Sequence, residues 1–421
     1  MINNLISHLQ KNYFLTFIYL YVLIMPWNFT NGIMGFSSII LLIWWLIIGK
    51  KNGYFKKLKN ILTFKPIVLL ILFMLWSYLS LLWTEDYEWS EIALKYYKYY
   101  WILIPVLFTA VTTNEAKKLL HIFIISLGIY AIFSLSIAFS LIEIINDPSN
   151  TNPVSISNPR GILAYAIVTP YMAIATLSSL VLAIYSNHKN LKILFSISFI
   201  VSFTALFLNN GRIGQLSFFL TILSLMLIYR RYLFNYKVIL GISTILIGSI
   251  LFFNYTGKLQ HFTNGLNELK SPEKKEYDGS FGVRLYMDIA AIELIPHHPL
   301  IGAGAGDNIN EFIEYTKTHP SKATWLRSYH NQHFDTLTKY GIIGYILLWG
   351  SVFMLLYSLK GNKKYFPLAF IFFSITFFDG LGDIILLMKP YNNIFTLIFI
   401  LFSIIALNKH ENNKTIDLFS S

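Results

Sequence analysis

Residues 161–185 read GILAYAIVTPYMAIATLSSLVLAIY, a stretch that contains no charged side chain. A bilayer core requires about 20 apolar residues of α-helix, so this run is long enough to cross it. Backbone groups in lipid are fully paired only in helices and closed barrels, and the alternating pattern of a barrel strand is not seen here. The stretch therefore predicts a membrane-spanning helix.

Similar runs fill most of the chain. The 421 residues are 55% hydrophobic and only 13% charged, a composition far more apolar than that of soluble globular proteins. We therefore expect an all-α polytopic membrane protein with about 12 transmembrane helices. The other predicted spans are Phe14–Trp27, Ile33–Gly49, Pro66–Trp83, Tyr99–Val111, Leu119–Ile144, Leu191–Leu208, Ile213–Ile228, Val238–Asn254, Leu337–Leu359, Phe366–Met388 and Ile394–Leu407.

One long polar interval interrupts this series. The predicted regions are residues 1–256 with nine spans, 257–335 as a large and mainly helical extramembrane loop, 336–407 with three spans, and 408–421 as a polar tail. Membrane-spanning scaffolds need only short connectors, so a loop of this length points to function. We expect it to carry the active site.

The distribution of lysine and arginine predicts the orientation. Under the twelve-span count, the basic connectors lie on the same side as both termini, which should be the cytoplasm. Most of the net charge of +12 sits on these connectors, so nucleic acid is not an expected partner. The chain has no cysteine, which excludes disulfides and thiolate metal sites. The basic connectors are Lys50–Lys65, Thr112–Lys118, Ser186–Lys192, Arg230–Lys237 and Lys360–Lys364.

The loop contains a first helix predicted over Val283–Ile295, since its apolar residues recur at helical spacing. This spacing puts Arg284 and Asp288 together on another face, where the carboxylate is expected to hold the guanidinium. His297-His298-Pro299 is expected to end the helix.

A second loop helix is predicted to extend through Tyr315, capped by Asp307 or Asn308. The loop then ends in Tyr329–Asp335, which leads directly into the next span. His330 should thus lie at the outer membrane surface beside a helix N-terminus, where partial positive charge favours anions.

Two arginines upstream are expected at the same membrane face. Arg212 follows Asn209-Asn210-Gly211 between two apolar runs, and Arg160 begins another span. Guanidinium groups bind phosphate in a bidentate way, so these arginines with Arg284 and His330 suggest a site for a lipid-linked phosphate or pyrophosphate. Purely structural roles stay open as alternatives: Arg212 and Arg160 as headgroup anchors, Arg284 as the partner of Asp288, and His330 as a simple helix-start residue.

A set of short motifs in this region resembles the O-antigen ligase and polymerase superfamily. They are Asn210-Gly211-Arg212, Gly282-Val283-Arg284, residues 295–304 (IPHHPLIGAG), Tyr329-His330-Asn331 and residues 340–344 (YGIIG). The resemblance covers roughly residues 208–359 by motif and the whole chain by topology, and it rests on the combined order of the motifs.

The resemblance implies a GT-C-like, inverting glycosyltransferase that needs no metal or other cofactor. By position, His330 matches the family's catalytic histidine, while Arg212 and Arg284 match its essential arginines. The implied donor is an undecaprenyl diphosphate-linked glycan and the implied acceptor is the lipid A core oligosaccharide, on the periplasmic face of the bacterial inner membrane. An O-antigen ligase is favoured by the layout with a single dominant outer loop.

Further side chains are candidates for substrate binding near this site. His330 and His333, with Asp335 nearby, also invite a zinc site, but a catalytic zinc takes three protein ligands in a recognisable spacing, so no metal is expected. Asp379 and Asp383 lie four apart within a predicted span and are expected to orient a catalytic cation or to form a structural pair. The substrate-binding candidates are Arg160, Tyr329, Asn331, His333, Asp379 and Asp383.

Three other functions remain open at this point. A polymerase of the same superfamily would use the same donor to lengthen the glycan on its lipid carrier. A protein O-glycosyltransferase would usually carry additional sequence after the last spans. A transporter is a different class, and polar residues clustered at one membrane face rather than at mid-depth argue against it.

Overall fold

The computed structural model describes residues 2–27, 31–95, 97–144, 153–230, 247–248, 279–319 and 329–419. Across these ranges the chain is helical, and its only strand-like pairing is an isolated bridge between Ser155 and Asn158. The helices are α1 Ile2–Ile24, α2 Asn31–Gly49, α3 Tyr54–Ile61, α4 Lys65–Leu79, α5 Tyr87–Leu94, α6 Lys98–Ala110, α7 Thr113–Ala138, α8 Tyr165–Tyr185, α9 Lys189–Leu208, α10 Arg212–Ile228, α11 Gly279–Leu294, α12 Asp307–Thr318, α13 Gln332–Leu359, α14 Tyr365–Asp379 and α15 Lys389–Phe419.

Most predicted spans coincide with helices. In the described part of the chain, seven helices are long and apolar enough to cross a membrane, and three shorter apolar helices accompany them. The predicted span Val238–Asn254 lies outside the described residues except at 247–248. The chain is a multi-pass membrane protein with an all-helical fold, while the count of about 12 stays a prediction.

Two helices form the centre of the bundle. Within α8, 83% of the span window is buried inside the protein, and within Lys389–Leu407 of α15 the share is 89%. The other spans are one-third to about one-half buried, so part of their apolar surface faces outward as a membrane helix requires. α8 packs against α7, α9, α10 and α14, and α15 packs against α6, α7 and α13.

The predicted span Phe366–Met388 is wrong in one respect, because it is not one helix. α14 ends at Asp379, and a turn at residues 380–384 separates it from a short 3-10 helix, Ile385–Leu387. Hydropathy does not show this break, since the residues on both sides are apolar. The local sequence Asp379-Gly-Leu-Gly-Asp383 explains it, because glycine disfavours a helix interior.

The long loop contains the two predicted helices, α11 and α12, and α13 begins at Gln332, earlier than the predicted boundary at 336. A small core joins the loop helices, made by Tyr286, Met287, Ala290, Ala291, Leu294, Phe312 and Tyr329. The apolar residues that recur at helical spacing in α11 therefore form its buried face. Residues 257–278 and 320–328 of the loop lie outside the described part of the chain.

The predicted cap of α12 is wrong. The N-cap residue is Gly306, and it provides no side-chain hydrogen bond. The carboxylate of Asp307 instead accepts hydrogen bonds from the backbone N–H groups of Glu85 and Asp86, both at 2.8 Å. Asp307 thus attaches the loop to the connector that precedes α5.

α13 is interrupted at Gly341, whose φ of 63° and ψ of −169° are not helical. Loop residues fill the interruption. The N–H groups of residues 303–304 donate to the carbonyls of residues 338–339, at 2.8 and 3.1 Å, and those of residues 342–343 donate to the carbonyls of residues 299–300, at 2.9 and 3.3 Å. The loop therefore supplies the hydrogen bonds that the helix loses, as membrane helices require at a break.

This insertion requires glycine on the loop side. Gly302 has a φ of +75°, and a Cβ built on it would lie 2.3 Å from the backbone carbon of Lys339. No side chain fits in that space, because real Cβ contacts are never so short. Since the same loop follows α11, the close approach fixes the position of α11 relative to α13.

We expect Gly302→Ala to destabilise the protein by roughly 2–4 kcal/mol, through left-handed strain and the clash with the α13 backbone. The measurement is the thermal unfolding midpoint in detergent. Gly350→Ala is the matched control, because a Cβ at Gly350 meets its nearest neighbours at 3.9 and 4.0 Å. Equal midpoints for the two variants would contradict the tight insertion.

Candidate functional site

The turn at residues 380–384 is the meeting point of the polar groups predicted to form the site. The turn follows the C-terminal end of α14, and the carbonyls of the turn need partners from other elements. The backbone N–H of Gln332 donates to the carbonyls of Gly380 and Asp383, at 2.7 and 3.2 Å. The Nε of Arg284 donates to the carbonyl of Gly382 at 2.9 Å. The turn thereby joins α11, α13 and α14.

His330 lies next to this turn. Its Nδ1 is 3.4 Å from Oδ1 of Asp383, within ion-pair distance but long for a hydrogen bond. The His330 side chain is 33% exposed, whereas that of Asp383 is 10% exposed. The imidazole is thus held by a buried carboxylate on one side and remains accessible from the other.

The backbone of His330 is in an unusual conformation. Its φ is +46°, in the left-handed region that non-glycine residues rarely adopt. Such strain persists only where surrounding contacts impose it. Here the next residue, Asn331, caps α13 by accepting from the N–H groups of His333 and Phe334, at 3.0 and 3.3 Å. The cap and the Gln332 contacts therefore fix the direction in which His330 projects.

Asn331 also connects the two sides of the site. Its Nδ2 donates to Oδ1 of Asp288 at 3.2 Å. Asp288 lies one helical turn after Arg284 on α11, close enough for the arginine to act on its titration. The expected Arg284–Asp288 neighbourhood is thus present, and its carboxylate is shared with the α13 cap. The sequence predicted only a substrate-binding role for Asn331.

Arg212 begins α10 with an exposed side chain. The next residue, Ile213, packs against the turn, since a Cβ built on Gly382 would lie 2.5 Å from its Cδ1. The N-terminus of α10 is therefore adjacent to the segment that holds Arg284 and His330. The structure brings the three predicted catalytic residues to one end of the bundle.

Arg160 lies nearby, beyond α10. Its Nη1 donates to the carbonyl of Leu163 at 2.6 Å. The preceding Asn158 accepts through Oδ1 from the N–H of Asn210 at 3.3 Å, which links this segment to the turn before Arg212. These local contacts place Arg160 at the same end, and its role in binding stays a prediction.

Tyr329 and His333 are both buried. Tyr329 is 1% exposed and donates its hydroxyl to the carbonyl of Asn308 at 3.1 Å. His333 donates from Nε2 to the carbonyl of Phe377 at 2.9 Å, and its Nδ1 lies 3.1 Å from the Tyr345 hydroxyl. The polar atoms of both side chains form hydrogen bonds within the protein, so their placement does not support the predicted contacts with substrate.

Asp379 is also buried, at 2% exposure, and it lies within range of the charges of Asp383 and Arg284. It is the last residue of α14, and its carbonyl accepts from the N–H groups of Gly382 and Asp383 at 3.1 and 3.2 Å. The sequence did not predict Gln332 as a residue that holds the turn. Its Oε1 also accepts a hydrogen bond from the N–H of Leu386 at 2.9 Å. The glycine pair after Asp379 was the available signal for a turn here.

The spacing of His330 and His333 in the sequence also suggests a zinc site. Within the ranges that the structure describes, no group of three or more His, Asp or Glu side chains is arranged to hold a metal ion. His333 directs its ring nitrogens to Phe377 and Tyr345 rather than toward His330. Metal independence stays a prediction that a chelator can test.

Burial raises the pKa of Asp288 from 3.8 to about 6, although the Asn331 hydrogen bond and the Arg284 charge lower it. Between these two values the folded protein binds the proton that the unfolded chain releases, so rising pH lowers stability. We expect Asp288→Asn to remove this contribution. The thermal midpoint of the variant minus that of the wild type should rise between pH 4 and pH 7, and a constant difference would contradict the assignment.

Residues 197–349 match the family model described as O-antigen ligase. No curated protein matches the chain. The matched segment includes Arg212, Arg284 and His330 and stops before Asp379 and Asp383. The resemblance to the O-antigen ligase and polymerase superfamily is confirmed by this match, and the family points to O-antigen ligase or polymerase-type activity.

Proposed function

We propose that this protein is an O-antigen ligase, an inverting and metal-independent glycosyltransferase. It moves a glycan from undecaprenyl diphosphate to the lipid A core oligosaccharide, at the periplasmic face of the bacterial inner membrane. The observation that carries the proposal is the turn at residues 380–384, where Arg284 and His330 contact neighbouring residues, Gly382 and Asp383. The imidazole can take the proton from the acceptor hydroxyl, and the cation can stabilise the diphosphate leaving group; a glycosyl transfer needs both.

His330 acts as the general base in this proposal. It takes the proton from the acceptor hydroxyl while that oxygen forms a bond to the anomeric carbon, and the bond between this carbon and the diphosphate oxygen breaks. The attack comes from the face opposite the leaving group, so the anomeric configuration inverts. The side chain is one-third exposed, which gives the acceptor access to the imidazole.

Asp383 orients and stabilises the protonated imidazole. Its carboxylate already accepts from the N–H of Ile384 at 2.9 Å, which fixes its direction toward His330. A buried carboxylate beside a catalytic histidine stabilises the imidazolium that forms during proton transfer. The long contact of 3.4 Å is compatible with this role, because catalytic hydrogen bonds often tighten when substrate is bound.

The arginines stabilise the diphosphate leaving group. Negative charge accumulates on the bridging oxygen as the glycosidic bond breaks, and fixed guanidinium groups stabilise that charge more in the transition state than in the ground state. Arg284 is fixed through Nε on the carbonyl of Gly382. Arg212 is exposed at the adjacent N-terminus of α10, where the helix dipole also favours an anion.

The lipid part of the donor needs an apolar surface beside the site, and a small cavity offers one to the first carbons of the chain. An apolar cavity of about 170 Å³ lies between α10, α13 and α14, beneath the turn. Trp349 and Phe377 line it, and both rings pack against His333. His333 thus lies beside the apolar cavity, and we assign it and Tyr329 to packing rather than to sugar binding.

His330→Ala should reduce glycan transfer at least about 10³-fold, because the general base is lost. The measurement is transfer of an undecaprenyl diphosphate-linked glycan to lipid A core by purified protein in the presence of chelator. His297→Ala is the matched control, since His297 is exposed in the same loop. Full activity of His330→Ala would refute the assignment, and elongation on the lipid carrier without transfer to core would move the function to the polymerase.

Asp383→Asn should lower kcat about 10²-fold with little change in KM for the donor, because orientation of the base matters mainly in the transition state. Arg284→Lys should lower kcat as well, since an ammonium group cannot keep the contact with Gly382 and bind phosphate at once. Steady-state kinetics give kcat and KM for both variants. A change confined to KM in Asp383→Asn would contradict its orienting role.

A further inference from the structure

A second cluster of cations lies at the opposite end of the bundle from the turn. The Nζ atoms of Lys117 on α7 and Lys364 at the start of α14 lie 5.6 and 5.5 Å from the centroid of the Tyr365 ring. Both lysines are half-buried and Tyr365 is buried. One aromatic ring thus holds two ammonium groups from different spans.

A third basic side chain completes the cluster. The Nζ of Lys364 lies 3.3 Å from Nε2 of His121, one turn after Lys117 on α7. An ammonium group only donates, so His121 accepts through Nε2 and is neutral in this contact. Burial and the charge of Lys117 both lower the pKa of Lys364. The cluster therefore holds positive charges close together, and their repulsion and burial disfavour the charged form of Lys364.

The described part of the chain places no carboxylate in an ion pair with Lys117 or Lys364. The nearest acid on α7 is Glu115, whose carboxylate accepts from the backbone N–H of Thr112 in a capping box. Its charge acts on Tyr19 and Tyr54, on the side of α1 and α3. The two ammonium groups are therefore placed to donate to an anion from outside the chain.

The backbone adds to the positive potential. α14 starts at Tyr365, and its N-terminus carries partial positive charge. Asn362 caps it by accepting from the N–H groups of Lys364 and Tyr365, at 3.3 and 3.0 Å, which fixes the backbone beside the two lysines. Apolar spans begin directly after the cluster in both α7 and α14, so it lies at the depth of lipid headgroups.

We propose that Lys117 and Lys364 bind the phosphate group of an anionic phospholipid. The charge pattern of the sequence predicts this end to be cytoplasmic, where anionic lipids attract basic groups at the membrane surface. Tyr365 and the aliphatic stems of the lysines form the apolar side of the site, beside the acyl region. Bound lipid would connect α7 to α14, whose other end holds the 380–384 turn.

The test is native mass spectrometry of the full-length protein titrated with phosphatidylglycerol or phosphatidylcholine. We expect at least about tenfold tighter binding of the anionic lipid to the wild type. Lys117→Met with Lys364→Met keeps the stems on Tyr365 and should weaken phosphatidylglycerol binding about 30-fold. Lys118→Met with Lys363→Met removes the same charge from exposed neighbouring positions and should change it less than threefold.

Equal losses in the two double variants would overturn the proposal, because they would show general attraction to surface charge. No preference for phosphatidylglycerol in the wild type would overturn it as well. A parallel titration with inorganic phosphate distinguishes the source of the anion: the lipid assignment is wrong if free phosphate binds with the same dependence on Lys117 and Lys364 while the lipid does not. Unchanged thermal midpoints of the variants verify folding.

Discussion

The constraint on which the site depends is the need to pair the carbonyls of the turn that follows α14. Backbone carbonyls outside a helix have no partners in regular structure, and a membrane offers few alternatives. In this protein the backbone N–H of Gln332 pairs with the carbonyls of Gly380 and Asp383, and the guanidinium of Arg284 pairs with that of Gly382. Pairing this one turn therefore brings together the start of α13 and the first half of α11.

A second set of backbone bonds makes this arrangement rigid. The loop after α11 inserts into the interruption of α13 at Gly341 and replaces its missing hydrogen bonds. α11 is thus attached to α13 at two places, through the loop and through the contact between Asp288 and Asn331. Catalytic groups held on rigid elements keep a productive geometry, which explains why a polar site sits on such a closely joined scaffold.

The sequence predicted most of the described apolar helices, and it named Arg284 and His330, which the structure brings to one turn. Membrane-length apolar runs predict spans without knowledge of tertiary contacts, and the ordered motifs around Arg212, Arg284 and His330 gave the resemblance that the family match confirms. The break after Asp379 was missed because hydropathy is continuous across it. The attachment of Asp307 to Glu85 and Asp86 joins residues more than 220 positions apart, and no local pattern encodes such a partner.

The most direct test of the central claim is a structure of the protein with undecaprenyl diphosphate bound, determined in a lipid nanodisc. The proposed function predicts the diphosphate between the guanidinium groups of Arg284 and Arg212, with the lipid in the cavity between α10, α13 and α14, and the imidazole of His330 facing the position of the anomeric carbon. A diphosphate bound away from the 380–384 turn, with no contact to Arg284, would contradict it.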